Sequence, residues 1–185
     1  MRVMLTGDRQ FPAALAAAMA VPFDCDGGGG VDFESFPAFL SVEDTTDWLR
    51  AWTGNGELSG DDFRIFGQNG SGGYAAFWLI RVNRALADQP VVFLGSEGET
   101  GVVARDLGDF LWLLADGLGP WEAANPYDSD RVPRPDLGHP SCTVTSLPSA
   151  PPQRRQWPER SDRSCSSAVL RLEGRGRLPA PGVAR

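Results

Sequence analysis

The chain has 185 residues and a formal net charge of -7, from 24 acids and 17 basic residues, all of them arginine. Without lysine there is no Walker-A, Schiff-base or protein-kinase lysine chemistry. A single histidine, His139, argues against a Ser-His-Asp or Cys-His triad and against a multi-histidine metal centre.

The charge is unevenly placed. Residues 1–138 carry nine arginines and 21 acids, a net of -12, whereas residues 139–185 carry eight arginines and three acids, a net of +5. An acidic body disfavours nucleic-acid phosphates and favours basic partners. Three cysteines, Cys25, Cys142 and Cys165, show no CxxC spacing. They are not expected to form a disulfide framework, so a reducing cytoplasm is the expected compartment. No run approaches the roughly 20 apolar residues that span a bilayer, and no membrane association is expected.

In chain order, Val3–Leu5 reads as a short strand or coil. The Ala-rich stretch that follows places Phe11, Leu15 and Met19 on one helical face. Ala18-Met19-Ala20 has the form of a signal cleavage site, but Asp8 and Pro12 interrupt its flank and the apolar run is weak, so a helix is the reading. Residues 24–34 read as a loop. Asp24, Asp26, Asp32 and Glu34 fail the calcium-loop pattern, because the twelfth position is Ser35 where a glutamate is required. Residues 42–52 read as a helix capped by Thr45 or Thr46. Residues 62–67 alternate as a strand, with Phe63 and Ile65 on one side and Arg64 and Phe66 on the other. Residues 67–73 are a glycine-rich turn, and 74–81 and 91–94 are apolar strands. Val103, Leu107, Phe110, Leu111 and Leu114 have the spacing of an amphipathic helix over 103–116. Gly117 and Gly119-Pro120 stop it, with Trp121 closing over its end.

The expected fold class is therefore α+β: a small antiparallel or mixed β-sheet packed against helices over residues 1–138. Residues 139–185 hold seven prolines and seven serines among their arginines and read as a disordered tail. Their abrupt, charge-reversed composition also fits an out-of-frame reading of GC-rich coding sequence, and a basic linker is the alternative.

DWLRAWTGN (47–55), FRIFGQNGSGGYAAFWLIR (63–81) and QPVVFLGSEGETGVVARDLGDFLWLLADGLGPWEA (89–123) together resemble bacterial members of the SUKH (Smi/Knr-like) superfamily. The resemblance lies between residues 45 and 123, a little under half of the chain. It rests on Phe63–Phe66, the Gly67–Gly73 turn, Tyr74–Ile80, Val91–Gly95 and Ala104–Leu114. Relatives often carry aspartate where this chain has Asn69 and Arg81, and their Leu-Pro-x-x-Tyr segment has only a faint echo in Phe36–Leu40. The resemblance implies a small α+β domain over 1–138 that binds and neutralises a toxin, often a nuclease, without being an enzyme or using a cofactor.

The candidate partner-binding residues are Glu97, Glu99, Asp106 and Asp109, with Asp61 and Asp62 nearby, together with Trp52 and Asn69. Such acids can pair with the basic side chains that hold phosphates in a nuclease, speeding association and excluding wrong partners. Trp52 precedes a glycine-rich loop and would serve either as core or as an exposed anchor. Two other chemistries have a foothold. Glu97 and Glu99, roughly 6.5–7 Å apart on an extended chain, would suit a glycan hydrolase if an apolar pocket raised one pKa. A cell-envelope regulatory scaffold is the third reading, by kinship of fold. Gly67–Gly73 resembles a phosphate cradle but lacks the following lysine and helix. No metal or cofactor is expected.

Overall fold

The computed structural model describes residues 9–20 and 31–125. The expected strand at Val3–Leu5, the glycine run at 27–30 and the tail at 139–185 lie outside the described residues. Within them the chain is α+β, with a five-stranded antiparallel sheet and four α-helices. The strands are β1 (Glu34–Ser35), β2 (Phe63–Gln68), β3 (Tyr74–Trp78), β4 (Val91–Leu94) and β5 (Thr100–Ala104), and they lie side by side in chain order. Each pairs with its sequence neighbour, so the sheet is an open meander.

Helices cover both faces. α1 (Ala13–Met19) and α3 (Leu107–Ala115) pack on one face, where Leu15, Phe33, Phe66, Phe77, Phe93, Phe110 and Leu114 form the larger core. α2 (Val42–Thr53) packs on the other, where Leu49 meets Phe63, Ile65, Ala76, Trp78, Val92 and Leu94. A fourth helix, α4 (Pro120–Ala124), adds Ala123 and Ala124 to the larger core. The expected alternation in β2 holds: Phe63 and Ile65 face α2, and Phe66 faces α3.

A β-bulge in β2 between Ile65 and Gly67 inserts Phe66 as an extra residue. Beyond it the pairing shifts, so Gln68 joins the α2 face opposite Tyr74. Glu34, paired with Gln68, joins the same row, as does Leu94 opposite Tyr74 and Thr100 opposite Leu94. A one-residue slip reverses the side to which every later side chain points. The bulge therefore decides that Glu34 and Tyr74 share a surface.

Several boundaries differ from expectation for local reasons. The 31–34 stretch is not all loop. Val31 and Phe33 are buried while Asp32 and Glu34 are exposed, a period-two pattern that leads into β1. α2 is capped not by Thr45 or Thr46 but by Ser41, whose hydroxyl accepts from the Asp44 N–H. The two threonines lie inside the helix and donate back to the Ser41 and Val42 carbonyls. The helix expected from Val103 begins only at Leu107, because Val103 and Ala104 belong to β5 and Asp106 supplies the cap to the Asp109 N–H. Its end is as expected: the Gly117 N–H donates to Leu114 O and the Leu118 N–H to Leu113 O, a Schellman motif. Pro120 does more than stop it. As the first residue of α4 it opens a new helix, and Trp121 is left exposed rather than closing over α3.

The loop from α2 to β2 depends on a close approach. A Cβ on Gly60 would lie 2.7 Å from the Val42 carbonyl oxygen and 2.8 Å from the Thr45 Cβ, and the Gly60 N–H donates to Thr46 Oγ1 at 2.8 Å. Gly60→Ala should therefore lower stability by about 1–2 kcal/mol through overpacking. A leftward shift of the urea midpoint with unchanged slope is the expected readout, and an unchanged midpoint would contradict the contact.

Candidate functional site

The meander brings two hairpin turns to one end of the sheet. The β2–β3 turn is closed by the Asn69 N–H donating to Gly73 O, with the Gly72 N–H returning to Asn69 O. The β4–β5 turn repeats this form: the Gly95 N–H donates to Glu99 O and the Gly98 N–H to Gly95 O. Each has a three-residue loop whose last residue has positive φ, +85° at Gly72 and +99° at Gly98, the region that glycine enters without a Cβ penalty.

These turns determine where the candidate residues stand. Glu97 and Glu99 are both exposed at the tip of the β4–β5 hairpin, in a turn and not on the extended chain that a facing pair would need. Asn69 is buried, with 5% exposure, and its Oδ1 accepts from the Gly73 N–H at 2.8 Å and the Ser71 hydroxyl at 3.0 Å. Its carboxamide organises the turn from inside, so the surface there is made by Gly70 and Ser71.

The other acids are at the opposite end. Asp61 and Asp62 lie in a 3-10 turn just before β2, and Asp106 and Asp109 lie just after β5. β5 spans about 14 Å, with Glu99 before it and Asp106 beyond it. The six acids therefore do not form one patch. The far end is also mixed in charge, since Arg64 lies at the start of β2 and Arg81, Arg84 and Arg105 follow β3 and β5 there. Arg105 pairs with Asp109 at 2.5 Å. That hydrogen bond, and the charge of the carboxylate behind it, hold the guanidinium above its usual pKa. Arg81 donates to the carbonyls of Asp88 and Arg105, tying the β3–β4 connection to the end of β5.

At the hairpin end the structure supplies acids that spacing along the chain did not reveal. Asp32 accepts from the Gly70 N–H at 2.8 Å, and Glu34 accepts from Gln68 Nε2 at 3.1 Å. Glu122 of α4 lies against Gly119, which is itself close to the Asp32 carbonyl, and its Oε2 is buried without a hydrogen-bond partner. Asp32, Glu34, Glu97 and Glu99 thus share the hairpin end of the sheet, the first two at its β1 edge and the other two at its β4–β5 side, while Glu122 belongs to α4 on the α3 face. None makes an ion pair among the described residues. The two remaining arginines among the described residues are engaged elsewhere, Arg9 with Phe39 O and Arg50 with Leu58 O.

Beside this acidic end, on the α2 face, lies a chain of half-buried rings. Trp52 stacks on Trp48 with centroids 5.1 Å apart and planes 14° apart. Trp48 meets Tyr74 at 4.7 Å, and Tyr74 meets Phe36 at 6.0 Å. Trp52 is neither wholly core nor a free anchor; it ends this chain and is half-buried. A small apolar depression nearby, lined by Phe63, Trp78, Leu94 and Thr100 among others, has a volume of about 10 Å³, room for a single water.

Among the described residues no three His, Cys, Asp or Glu side chains gather as a metal site, and no helix is long and apolar enough to cross a membrane. No family model matches the chain, and no curated protein or solved structure matches it either.

Proposed function

We propose that the chain is a non-enzymatic protein-binding module that docks a basic partner on the hairpin end of its sheet, in the manner of an immunity protein neutralising a toxin. The observation that carries this reading is that Asp32, Glu34, Glu97 and Glu99 occupy the hairpin end of the sheet without an ion-pair partner among the described residues. Acids at one end without counter-charges make the local potential negative, which draws cationic partners towards it. The resemblance of residues 45–123 to SUKH proteins supports the immunity role. A basic nuclease domain is the partner class it suggests.

Two of these acids are simple to test, because both stand exposed on a turn and their replacement disturbs no core contact. Association with a basic toxin domain should be fast at low salt and slow steeply as salt rises. The Glu97→Gln, Glu99→Gln double variant should reduce the association rate roughly three- to ten-fold at low salt and flatten the salt dependence, with less effect on dissociation. An association rate indifferent to salt and to both substitutions would refute the acidic-end reading.

A further inference from the structure

We infer that the half-exposed ring chain Trp52–Trp48–Tyr74–Phe36, with the acidic end beside it, is a surface selective for arginine over lysine, so that the partner presents an arginine-bearing segment. The inference rests on the protein-binding reading and specifies the chemistry of its partner.

Geometry and charge meet at one place. Trp48 and Trp52 are one helical turn apart on α2, so their indoles lie over each other, and Trp48 reaches the sheet at Tyr74. Tyr74 stands in the same cross-strand row as Gln68 and Glu34, because the β2 bulge has turned that row towards α2. Glu34 uses one carboxylate oxygen on Gln68 and makes no ion pair among the described residues. One turn before Trp48 on the same side of α2 is Asp44, also exposed. Aromatic faces therefore lie between carboxylates. A guanidinium is planar and weakly hydrated, so it can stack on an indole while its N–H groups reach a carboxylate. An ammonium is a compact, strongly hydrated point charge and gains less from the ring. The long-range pull of acids alone is the same for both cations, and rings alone would attract any apolar group. Their adjacency is what selects arginine.

The test uses the full chain and two short peptides, one alternating arginine with glycine and one alternating lysine with glycine at equal charge, titrated calorimetrically at low and moderate salt. The arginine peptide should bind about three-fold or more tightly, and the preference should survive at moderate salt as the shared electrostatic part weakens. Trp52→Leu should abolish the preference while leaving the salt-dependent part. Glu34→Gln should weaken both peptides. Because the arginine–lysine comparison is made on the unaltered chain, it stands even if a tryptophan variant folds poorly. Equal affinity for the two peptides, or a preference untouched by Trp52→Leu, overturns the arginine inference and leaves the acidic end as a binding surface. Failure of both peptides to bind at either salt concentration removes the acidic-end reading as well. Binding of the arginine peptide only after salt displaces the chain's own arginine-rich 139–185 segment would assign the surface to that segment and overturn the external partner.

Discussion

Replacing Phe66 with alanine should lower folding stability by about 3–5 kcal/mol. The phenyl ring is wholly buried and is the extra residue of the β2 bulge. It meets Phe77 and Phe110 at 5.2 Å each and Phe33 at 6.0 Å, so it joins the sheet, α3 and the segment leading into β1. Truncation removes the apolar surface of a whole ring and leaves a cavity walled by other rigid rings, which relax poorly into the space. A domain of this size has only about 5–15 kcal/mol of stability, so much of the population should unfold well below the wild-type transition. Urea unfolding followed by tryptophan fluorescence would measure it. A loss under about 1 kcal/mol would mean that Phe66 is not the hub these contacts describe.

Asn69→Ala should cost about 2–3 kcal/mol, although the residue sits in a turn, where substitutions are usually mild. The reason is the buried Gly73 N–H, which has the Asn69 carboxamide oxygen as its acceptor. Alanine leaves that donor without a partner in a site closed to water, and such a group costs its full desolvation. The Ser71 hydroxyl loses the same acceptor but is exposed and can turn to solvent. Hydrogen exchange at the Gly73 amide should accelerate strongly in the variant, while exchange in α3 should change only by the global loss of stability. Equal protection at Gly73 in both proteins would show that water takes over as acceptor.

Much of the fold was legible because the signals were local. The alternation of Phe63 to Phe66, the apolar runs at 74–81 (of which Tyr74–Trp78 forms β3) and 91–94 and the spacing of Leu107, Phe110, Leu111 and Leu114 each mark an element by themselves. β5 was missed, since Thr100–Ala104 contains a glycine and an exposed Val102 and owes its strand state to pairing with β4. Tertiary context overrode weak propensity there. The start of α3 was misplaced for the same reason, since Val103 fits a helical spacing yet belongs to the strand. The site was the least legible part. Glu97 and Glu99 were visible as a turn pair, but their distance from Asp106 and Asp109 follows from the length of β5. That they share an end of the sheet with Asp32 and Glu34 follows from the antiparallel order of the strands. Neither is encoded in spacing along the chain. The buried place of Asn69 was equally hidden, because a polar residue in a glycine-rich turn ordinarily faces water.

Among the described residues, the uneven placement of carboxylates and arginines along the strand axis makes an electrical lever. Near a cationic surface it experiences a torque as well as a pull, and it rotates hairpins-first while still about one Debye length away, ~10 Å at moderate salt. More collisions then arrive in a usable orientation, so capture quickens with no improvement in fit. Moving an arginine from the distant end to the hairpin end, at constant net charge, should slow capture by shortening the lever.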